Sequence, residues 1–330
     1  MEKKATIREV AKLAGVSISS VSRYLNDPTS IKPVAAYNVK KAIQELEYAP
    51  SAAAQNLKRG KSQMIGIVVP HMRVFFEEAS AVITEYFYER GYMTAVCISN
   101  AEEQKERFFV DQMLRQQAAG IVIAPSGKNT DYLRKVCEKH KHFVAIDRAE
   151  NLGCPQVLEN HKENAYRLVS HLLKNGCYNK IMFVHGWEKS FSAQMCQTGG
   201  LGAVQEAGFP ESNLQVHFSH SNRKGTFEAL KLFMDSLGEN DHPAIVAYGT
   251  DILEYTVMGL HQFYPQWLSR CALAGFALPG TREKLGIDCS LVIKNPQQVG
   301  ATAAELLYGR IQEKAENDDQ TYQIPVSYSF

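Results

Sequence analysis

The chain has 330 residues, 45% of them hydrophobic, with 36 Lys and Arg against 35 Asp and Glu for a formal net charge of +1 and a mean hydropathy of -0.25. That length holds two or three domains with sizeable cores, and the composition excludes collagen-like, wholly disordered and membrane-embedded proteins. A net charge near zero argues against a nucleic-acid partner only if the charge is evenly spread. It is not: residues 1–61 carry eleven basic and five acidic side chains, net +6, and the remaining chain carries 25 basic and 30 acidic, net -5. A small basic head precedes a large acidic body. There is no apolar segment behind a positive region and no run of about 18 apolar residues, so the expectation is a cytoplasmic protein with no membrane partner. Seven cysteines (Cys97, Cys137, Cys154, Cys177, Cys196, Cys271 and Cys289) without a Cys-x-x-Cys spacing fit reduced thiols rather than disulfides or zinc ligands.

In the head, Thr6 stands as N-cap before Ile7, Val10, Ala11 and Ala14, one face of a short helix that Gly15 breaks. Ser17 caps a second helix with Val21 and Leu25 inward, after a turn of only four residues, so the two helices must cross steeply. Pro33 suits the first turn of a third helix carrying Val39, Ala42, Ile43 and Leu46. This is an all-α helix-turn-helix layout. The second helix exposes hydroxyls, one aliphatic group and a guanidinium near its N-terminus. Hydroxyls and helix amides hold phosphates, Arg23 suits a guanine edge and Ile18 a thymine methyl. Pro50 then opens a short segment, Ser51 to Arg59, with good helix formers inside. It is too short to be stable alone, but a hinge helix of this kind can form against its twin on DNA, with Leu57 wedged into the minor groove.

Thr6-Ile7-Arg8-Glu9-Val10-Ala11-Lys12-Leu13-Ala14-Gly15-Val16-Ser17, Val21-Ser22-Arg23-Tyr24-Leu25-Asn26, Tyr48-Ala49-Pro50, Leu57 and Ile65-Gly66-Ile67-Val68-Val69-Pro70 resemble the lac repressor family of bacterial transcription regulators, and the resemblance runs along nearly the whole chain. It implies base-reading positions at Ile18, Ser19 and Arg23. It further implies backbone contacts at Thr6, Ser20, Ser22 and Asn26, a minor-groove lever at Leu57 with Lys58 beside it, and a homodimer on a pseudo-palindromic double-stranded DNA operator. Lys32 replaces the usual Ser or Thr cap before Pro33, and Gln55 a common basic hinge residue. The implied domains are 1–49, the helix-turn-helix head; 50–61, the hinge helix and linker; and 62–330, the effector-binding and dimerisation core.

From Met64 onward, apolar runs at 65–69, 94–98, 120–124, 143–146, 181–184, 244–247, 271–274 and 291–293 alternate with amphipathic stretches such as 76–90 and 104–117. This pattern builds parallel sheets flanked by helices, and so long a stretch suits two lobes. The resemblance implies a two-lobed α/β, periplasmic-binding-protein-like core: an N-lobe of about 62–161 plus 293–322 and a C-lobe of about 162–292 plus 323–330. Crossings between the lobes are expected near Glu159–Ala165, Pro279–Val292 and the C-terminal end.

Ligands of such sheets bind beyond the carboxyl ends of the strands. Phe75 and Phe76 either stack on a ligand or belong to the core, and Asp147 and Arg148 either bind a polar ligand or pair with each other. By similarity Ser190, Ser192, His220 and Asp251 also face the cleft. At two further cleft positions, Gln197 stands where the family commonly has Arg, and Ala277 where it commonly has Asp. Losing such charged hydrogen-bonding groups costs a sugar roughly 1.5–3 kcal/mol per bond. A neutral-sugar effector is therefore disfavoured. A weaker resemblance of the stretches at 143–149 and 216–218 to the fructose-phosphate-responsive catabolite repressor/activator branch suggests a phosphorylated sugar, with Ser190, Ser192 and Arg148 on its phosphate side. A cleft without any small ligand, or a solute-binding or sensor protein, stays open as the alternative.

No enzyme is indicated. Gly60-Lys61-Ser62 lacks the earlier glycine of a phosphate loop, since position 55 is Gln, and no Gly-x-Ser-x-Gly elbow occurs. His140 with His142, and His217 with His220, lack the Cys or carboxylates that would complete a metal site. No cofactor is called for. The reading is a sequence-specific regulator, a repressor of a carbohydrate-related operon.

Overall fold

The computed structural model describes residues 5–48, 62–148, 151–313 and 319–330. Contacts divide the chain into two units, Met1–Ser62 and Gln63–Phe330. In the first, α1 (Ile7–Ala14), α2 (Ile18–Asn26) and α3 (Pro33–Glu45) close over Val10, Ala11, Ala14, Val21, Val39 and Ala42. Thr6 and Glu9 form a reciprocal capping box. The Thr6 amide donates to the Glu9 carboxylate at 2.7 Å, and the Glu9 amide donates to the Thr6 hydroxyl at 3.4 Å. Gly15 ends α1 in the left-handed region at φ 65°, where a side chain would be strained. Ser17 caps α2, accepting from the Ser20 amide, whereas Lys32 gives α3 no side-chain cap. There the Pro33 ring sets the first turn instead.

The second unit holds two six-stranded sheets. The first has the order β11-β5-β4-β3-β1-β2 and the second β12-β10-β9-β8-β6-β7. The first sheet comprises β1 (Met64–Val69), β2 (Met93–Ile98), β3 (Gly120–Ile123), β4 (Phe143–Ile146), β5 (Gln156–Leu158) and β11 (Thr321–Gln323). It carries α4 (Val74–Tyr88), α5 (Glu103–Arg115) and α6 (Thr130–Lys139). The second comprises β6 (Lys180–His185), β7 (Leu214–Phe218), β8 (Pro243–Ala247), β9 (Ala272–Ala277), β10 (Ser290–Ile293) and β12 (Ser327–Ser329). Its helices are α7 (His161–Asn175), α8 (Phe191–Glu206), α9 (Arg223–Met234), α10 (Thr250–Phe263) and α11 (Thr281–Leu285). All described pairings are parallel except β10 with β12. Strands such as β4 and β8 are buried throughout because helices cover both faces, which is why they read as continuous apolar runs.

The chain passes between the sheets three times: at Glu159–Asn160 between β5 and α7, at Lys294–Asn295 between β10 and α12 (Pro296–Ile311), and between β11 and β12. The helix α12 returns to pack on α4 and the first sheet. The expected crossing at Pro279–Val292 is therefore corrected. That stretch, with α11 and β10, stays in the second lobe because β10 pairs with β9 before the chain leaves. The three-residue strands β5, β11 and β12 were not foreseen, since segments so short carry no periodicity.

Helices α7 and α8 pack closely because α8 presents Gly199, Gly200 and Ala203 inward. A Cβ at Gly199 would collide with the Lys162 carbonyl oxygen. Gly199→Ala is therefore expected to lower the core's unfolding free energy by roughly 1–3 kcal/mol. At Gly202 a Cβ would meet only a Tyr166 ring carbon at 3.9 Å, so Gly202→Ala should be neutral or stabilise by up to about 1 kcal/mol through helix propensity. Urea denaturation of the two variants checks both signs.

Candidate functional site

Two surfaces carry chemistry. On the head, Ile18 is 45% exposed, Ser19, Arg23 and Asn26 are exposed, and Ser20 and Ser22 are half-buried. A large aliphatic side chain left in water at the start of the second helix, with an exposed guanidinium further along it, is what a major-groove reader presents. Thr6 lies exposed at the start of α1 with its hydroxyl engaged in the cap. The Ser17 hydroxyl lies 2.8 Å from that of Ser19 and 2.9 Å from that of Ser20, which links the hydroxyls of the first turn. Leu57 and Lys58 lie outside the described residues.

The second surface is the cleft between the two sheets, lined by residues that follow the strands. His71, Arg73, Phe75 and Phe76 come after β1, Asp147 and Arg148 after β4, and Trp187, Ser190 and Ser192 after β6. Ser221 comes after β7, Tyr248, Thr250 and Asp251 after β8, Phe276 from the end of β9, and Lys294 after β10. Seven of the ten sequence-expected residues are brought together here: Phe75, Phe76, Asp147, Arg148, Ser190, Ser192 and Asp251. The other three do not line it. Ala277 is fully buried, because strand alternation turns Phe276, not Ala277, toward the cleft. Gln197 follows Cys196 on α8 and is rotated off the lining face. His220 has φ 50° and an exposed side chain, and Ser221 lines the cleft in its place.

Charge is concentrated at the crossings. The Lys294 ammonium lies 3.0 Å from Asp147 and 3.2 Å from Glu159, and the Glu159 carboxylate also accepts from the Asn295 amide at 3.0 Å. Burial alone would raise the Asp147 carboxyl, but the Lys294 charge overrides it and holds Asp147 well below the usual carboxylate range. Burial alone would lower Lys294, and Asp147 and then Glu159 push it above its ordinary value. Asp147, Glu159 and His161 offer ligand atoms within 4.8 Å of one another, but the Lys294 ammonium already supplies their cation. Across the cleft, Arg73 donates to Asp251 at 3.0 Å.

Arg148 differs from the other cations. It is 6% exposed, its Nε stands 3.7 Å from Asp147, beyond hydrogen-bond length, and Nε and Nη1 have no hydrogen-bond partner. Its guanidinium carbon lies 5.4 Å from the Trp187 ring centroid and 5.8 Å from that of Phe76. Burial, partly opposed by Asp147, lowers its pKa. Ser190, expected on the ligand's phosphate side, instead caps α8. It donates to the Trp187 carbonyl at 2.9 Å and accepts from the Ala193 amide at 3.3 Å. Phe76 is both core and cleft wall.

Sequence reasoning missed His71, Lys294 and the cleft roles of Trp187, Tyr248 and Phe276. His71 and Lys294 follow recognisable strands within two residues, and the rule that selected Asp147 would have found them.

A helix-turn-helix head joined to a two-lobed α/β core with a polar cleft at its strand ends defines a DNA-binding regulator of ligand-responsive architecture. Residues 6–51 match the family described as bacterial regulatory proteins, lacI family, and residues 62–329 match periplasmic binding proteins and sugar binding domain of LacI family. The chain belongs to the LacI family, a family of regulators and not of enzymes. The HTH-type transcriptional repressor PurR of Vibrio vulnificus (strain CMCP6) is 27% identical, with 97% of this chain and 96% of that protein covered. The lac repressor dimer bound to operator and the anti-inducer ONPF has the same fold, with TM-score 0.82 at 18% identity over 99% of this chain and 98% of that one. The Cra transcriptional dual regulator from Pseudomonas putida, in complex with fructose 1-phosphate, superposes with TM-score 0.72 at 17% identity over 81% and 98%. Among the described residues no helix is long and apolar enough to cross a membrane.

Burial lowers two imidazoles to about 3: His71, helped by the Arg148 and Arg73 charges, and His185, stacked on Tyr248 at 4.3 Å. Unfolded, they titrate near the ordinary 6.5. The unfolded chain therefore binds more protons, so their contribution to stability is full above about pH 6.5 and is lost as pH falls toward 3. Asp147 adds to the loss only below the ordinary carboxylate value of about 3.9. His185→Phe is expected to flatten the fall in unfolding free energy between pH 6.5 and 4, measured by urea titrations at several pH values. An unchanged slope would contradict the assignment.

Proposed function

We propose that the chain is a repressor that binds a pseudo-palindromic operator as a homodimer, with operator affinity set by a small anionic ligand between the lobes. The observation that carries the ligand reading is Arg148, a buried guanidinium whose Nε and Nη1 lack hydrogen-bond partners. Leaving charge-bearing donors buried and unpaired is costly, and an anion entering the cleft satisfies them. A regulator with an empty cleft would gain nothing from keeping that arrangement.

The exposed Ile18 and Arg23 support base reading by α2. The DNA-facing set is then Ile18, Ser19 and Arg23 on bases, with Thr6, Ser20, Ser22 and Asn26 on the backbone, and Leu57 with Lys58 at the operator centre. The head's surplus of cations supplies phosphate attraction, and the acidic core is repelled from the duplex. Binding to the genome requires a cytoplasmic protein. Dimerisation is supported by the edge strand β2, which leaves Met93, Val96 and Ile98 at 65%, 40% and 41% exposure. An edge strand with its apolar side chains in water is a surface to be covered. Ligand binding rotates one lobe against the other about the three crossings and shifts the affinity of the paired heads. A carbohydrate-related operon fits the family's sugar-binding core and the fructose 1-phosphate in the Cra structure. Sugar phosphates are one member of the anion class.

Arg23→Ala is expected to cost about 1–3 kcal/mol of specific binding with a smaller loss on bulk DNA, in gel-shift titrations against fragments flanking the chain's own gene. If no fragment outcompetes bulk DNA, the regulator reading gives way to a solute-binding or sensor protein. Ile98→Asp should move the protein from dimer to monomer in sedimentation; an unchanged dimer would place the interface elsewhere.

A further inference from the structure

We infer that the cleft's ligand is an aromatic monocarboxylate, its carboxylate on Arg148 and its ring against Trp187, Phe75 and Tyr248. This rests on the reading of the cleft as an anion site and narrows it.

The first argument is charge. Among the described residues the cleft wall holds three cations, Arg73, Arg148 and Lys294, and two carboxylates, Asp147 and Asp251, with the Glu159 carboxylate behind Lys294. Arg73 is taken by Asp251, and Lys294 by Asp147 with Glu159 behind it. Arg148, whose nearest carboxylate is Asp147 at 3.7 Å, keeps Nε and Nη1 without hydrogen-bond partners, two donors that suit one carboxylate. A phosphate monoester brings about -1.5 to -2 and three acceptor oxygens, and Ser190, the hydroxyl best placed at the start of α8, is already committed to its cap.

The second argument is the rest of the wall. A polyol is gripped by side-chain amides and by carboxylates that accept from its hydroxyls. Among the described residues the lining contains no Asn or Gln, and Asp147 and Asp251 already accept from cations. Ser192, Ser221 and Thr250 add only small hydroxyls. What the wall does offer is flat apolar surface, Phe75, Phe76, Trp187, Tyr248 and Phe276, with the His71 imidazole stacked on Trp187. Tyr248 contributes a ring face and not a hydroxyl. Its oxygen is buried without a partner and lies at Gly200 on α8, which has no Cβ to obstruct it. The Phe276 ring stands beside it at 5.7 Å, and Ile252, Ala193 and Cys196 fill in behind. A planar anion satisfies the guanidinium fork and buries its ring on these faces; a hydroxyl-rich one leaves its hydroxyls unpaired.

The experiment is a thermal-shift and Trp-fluorescence titration of the full-length dimer. The probes are benzoate, 4-hydroxybenzoate and phenylacetate, set against fructose 1-phosphate, glucose 6-phosphate, cellobiose and inorganic phosphate. The chain has two tryptophans; Trp187 lines the cleft and Trp267 belongs to the core of the second lobe, so a Trp187→Phe variant assigns the signal. At least one aromatic carboxylate is expected to raise Tm and change Trp187 emission. Arg148→Lys, which keeps the charge but loses the planar fork, should weaken it at least tenfold, and Arg148→Gln should abolish it. If only sugar phosphates bind, and through Arg148, the aromatic class is wrong while the anion site stands. If only the neutral sugar binds, or no probe shifts either signal, both the class and the anion reading are overturned. Should Arg148→Gln fail to fold, Arg148→Lys and Trp187→Phe still decide the matter.

Discussion

The Lys294 ammonium, held between Asp147 and Glu159, is the interaction on which the core depends. It sits where β10 hands the chain back to the first lobe. Asp147 ends β4, and Glu159 begins the crossing from β5 to α7. One buried cation therefore joins a strand end of the first sheet to two of the three passages between lobes. Glu159 adds a bond to the Asn295 amide, and the Ile324 amide donates to the Leu158 carbonyl at 2.7 Å, so the third passage is tied beside them. Removing one member of such a buried set leaves its partners charged and unpaired, a loss of the order of 3–5 kcal/mol. The set thus favours one mutual arrangement of the crossings.

The same cluster shapes the cleft. By engaging Asp147, Lys294 withdraws from the ligand a carboxylate that would otherwise accept hydrogen bonds, and it also covers Phe75, with its ammonium 3.8 Å from the ring centroid. The Arg73–Asp251 pair does likewise across the cleft. Arg148 is left as the buried cation with donors to spend. The small residues of α8 act in concert: Gly200 admits the Tyr248 hydroxyl, so the tyrosine lies down as a wall. Gln197 and Ala277, where the family commonly has Arg and Asp, lie off the lining, and aromatic side chains with the Cys196 thiol stand in it.

Much of the architecture was legible because it rests on local physics. The caps Thr6 and Ser17, the Gly15 break and the 3.6-residue pattern of the head each specify a helix from a few neighbouring residues. The buried strands announced themselves as apolar runs of three to five residues. The short strands β5, β11 and β12 did not, since they exist only by pairing with chain brought from far away, such as Gln156 with Thr321. The cleft was partly legible through the rule that ligands meet strand ends, which pointed to Phe75, Phe76, Asp147 and Arg148, and through the family resemblance, which added Asp251. Neither the rule nor the resemblance could choose among neighbouring side chains after a strand, hence Ser221 rather than His220 and Phe276 rather than Ala277, because that choice is made by backbone conformation and packing.

The opening charge of +1 concealed a basic head and an acidic body, and that division is a property of the sequence alone. So are the helix-turn-helix, the alternation that builds parallel sheets, and membership of the LacI family, because each is written in residue types at short spacing. Which charges remain available to a ligand was decided only by the tertiary structure. Lys294 and Asp147 are 147 residues apart, and Arg73 and Asp251 are 178 apart. No local pattern records which acid will neutralise which base, and Arg148 Nε and Nη1 stay without hydrogen-bond partners while the neighbouring Asp147 carboxylate lies closer to Lys294.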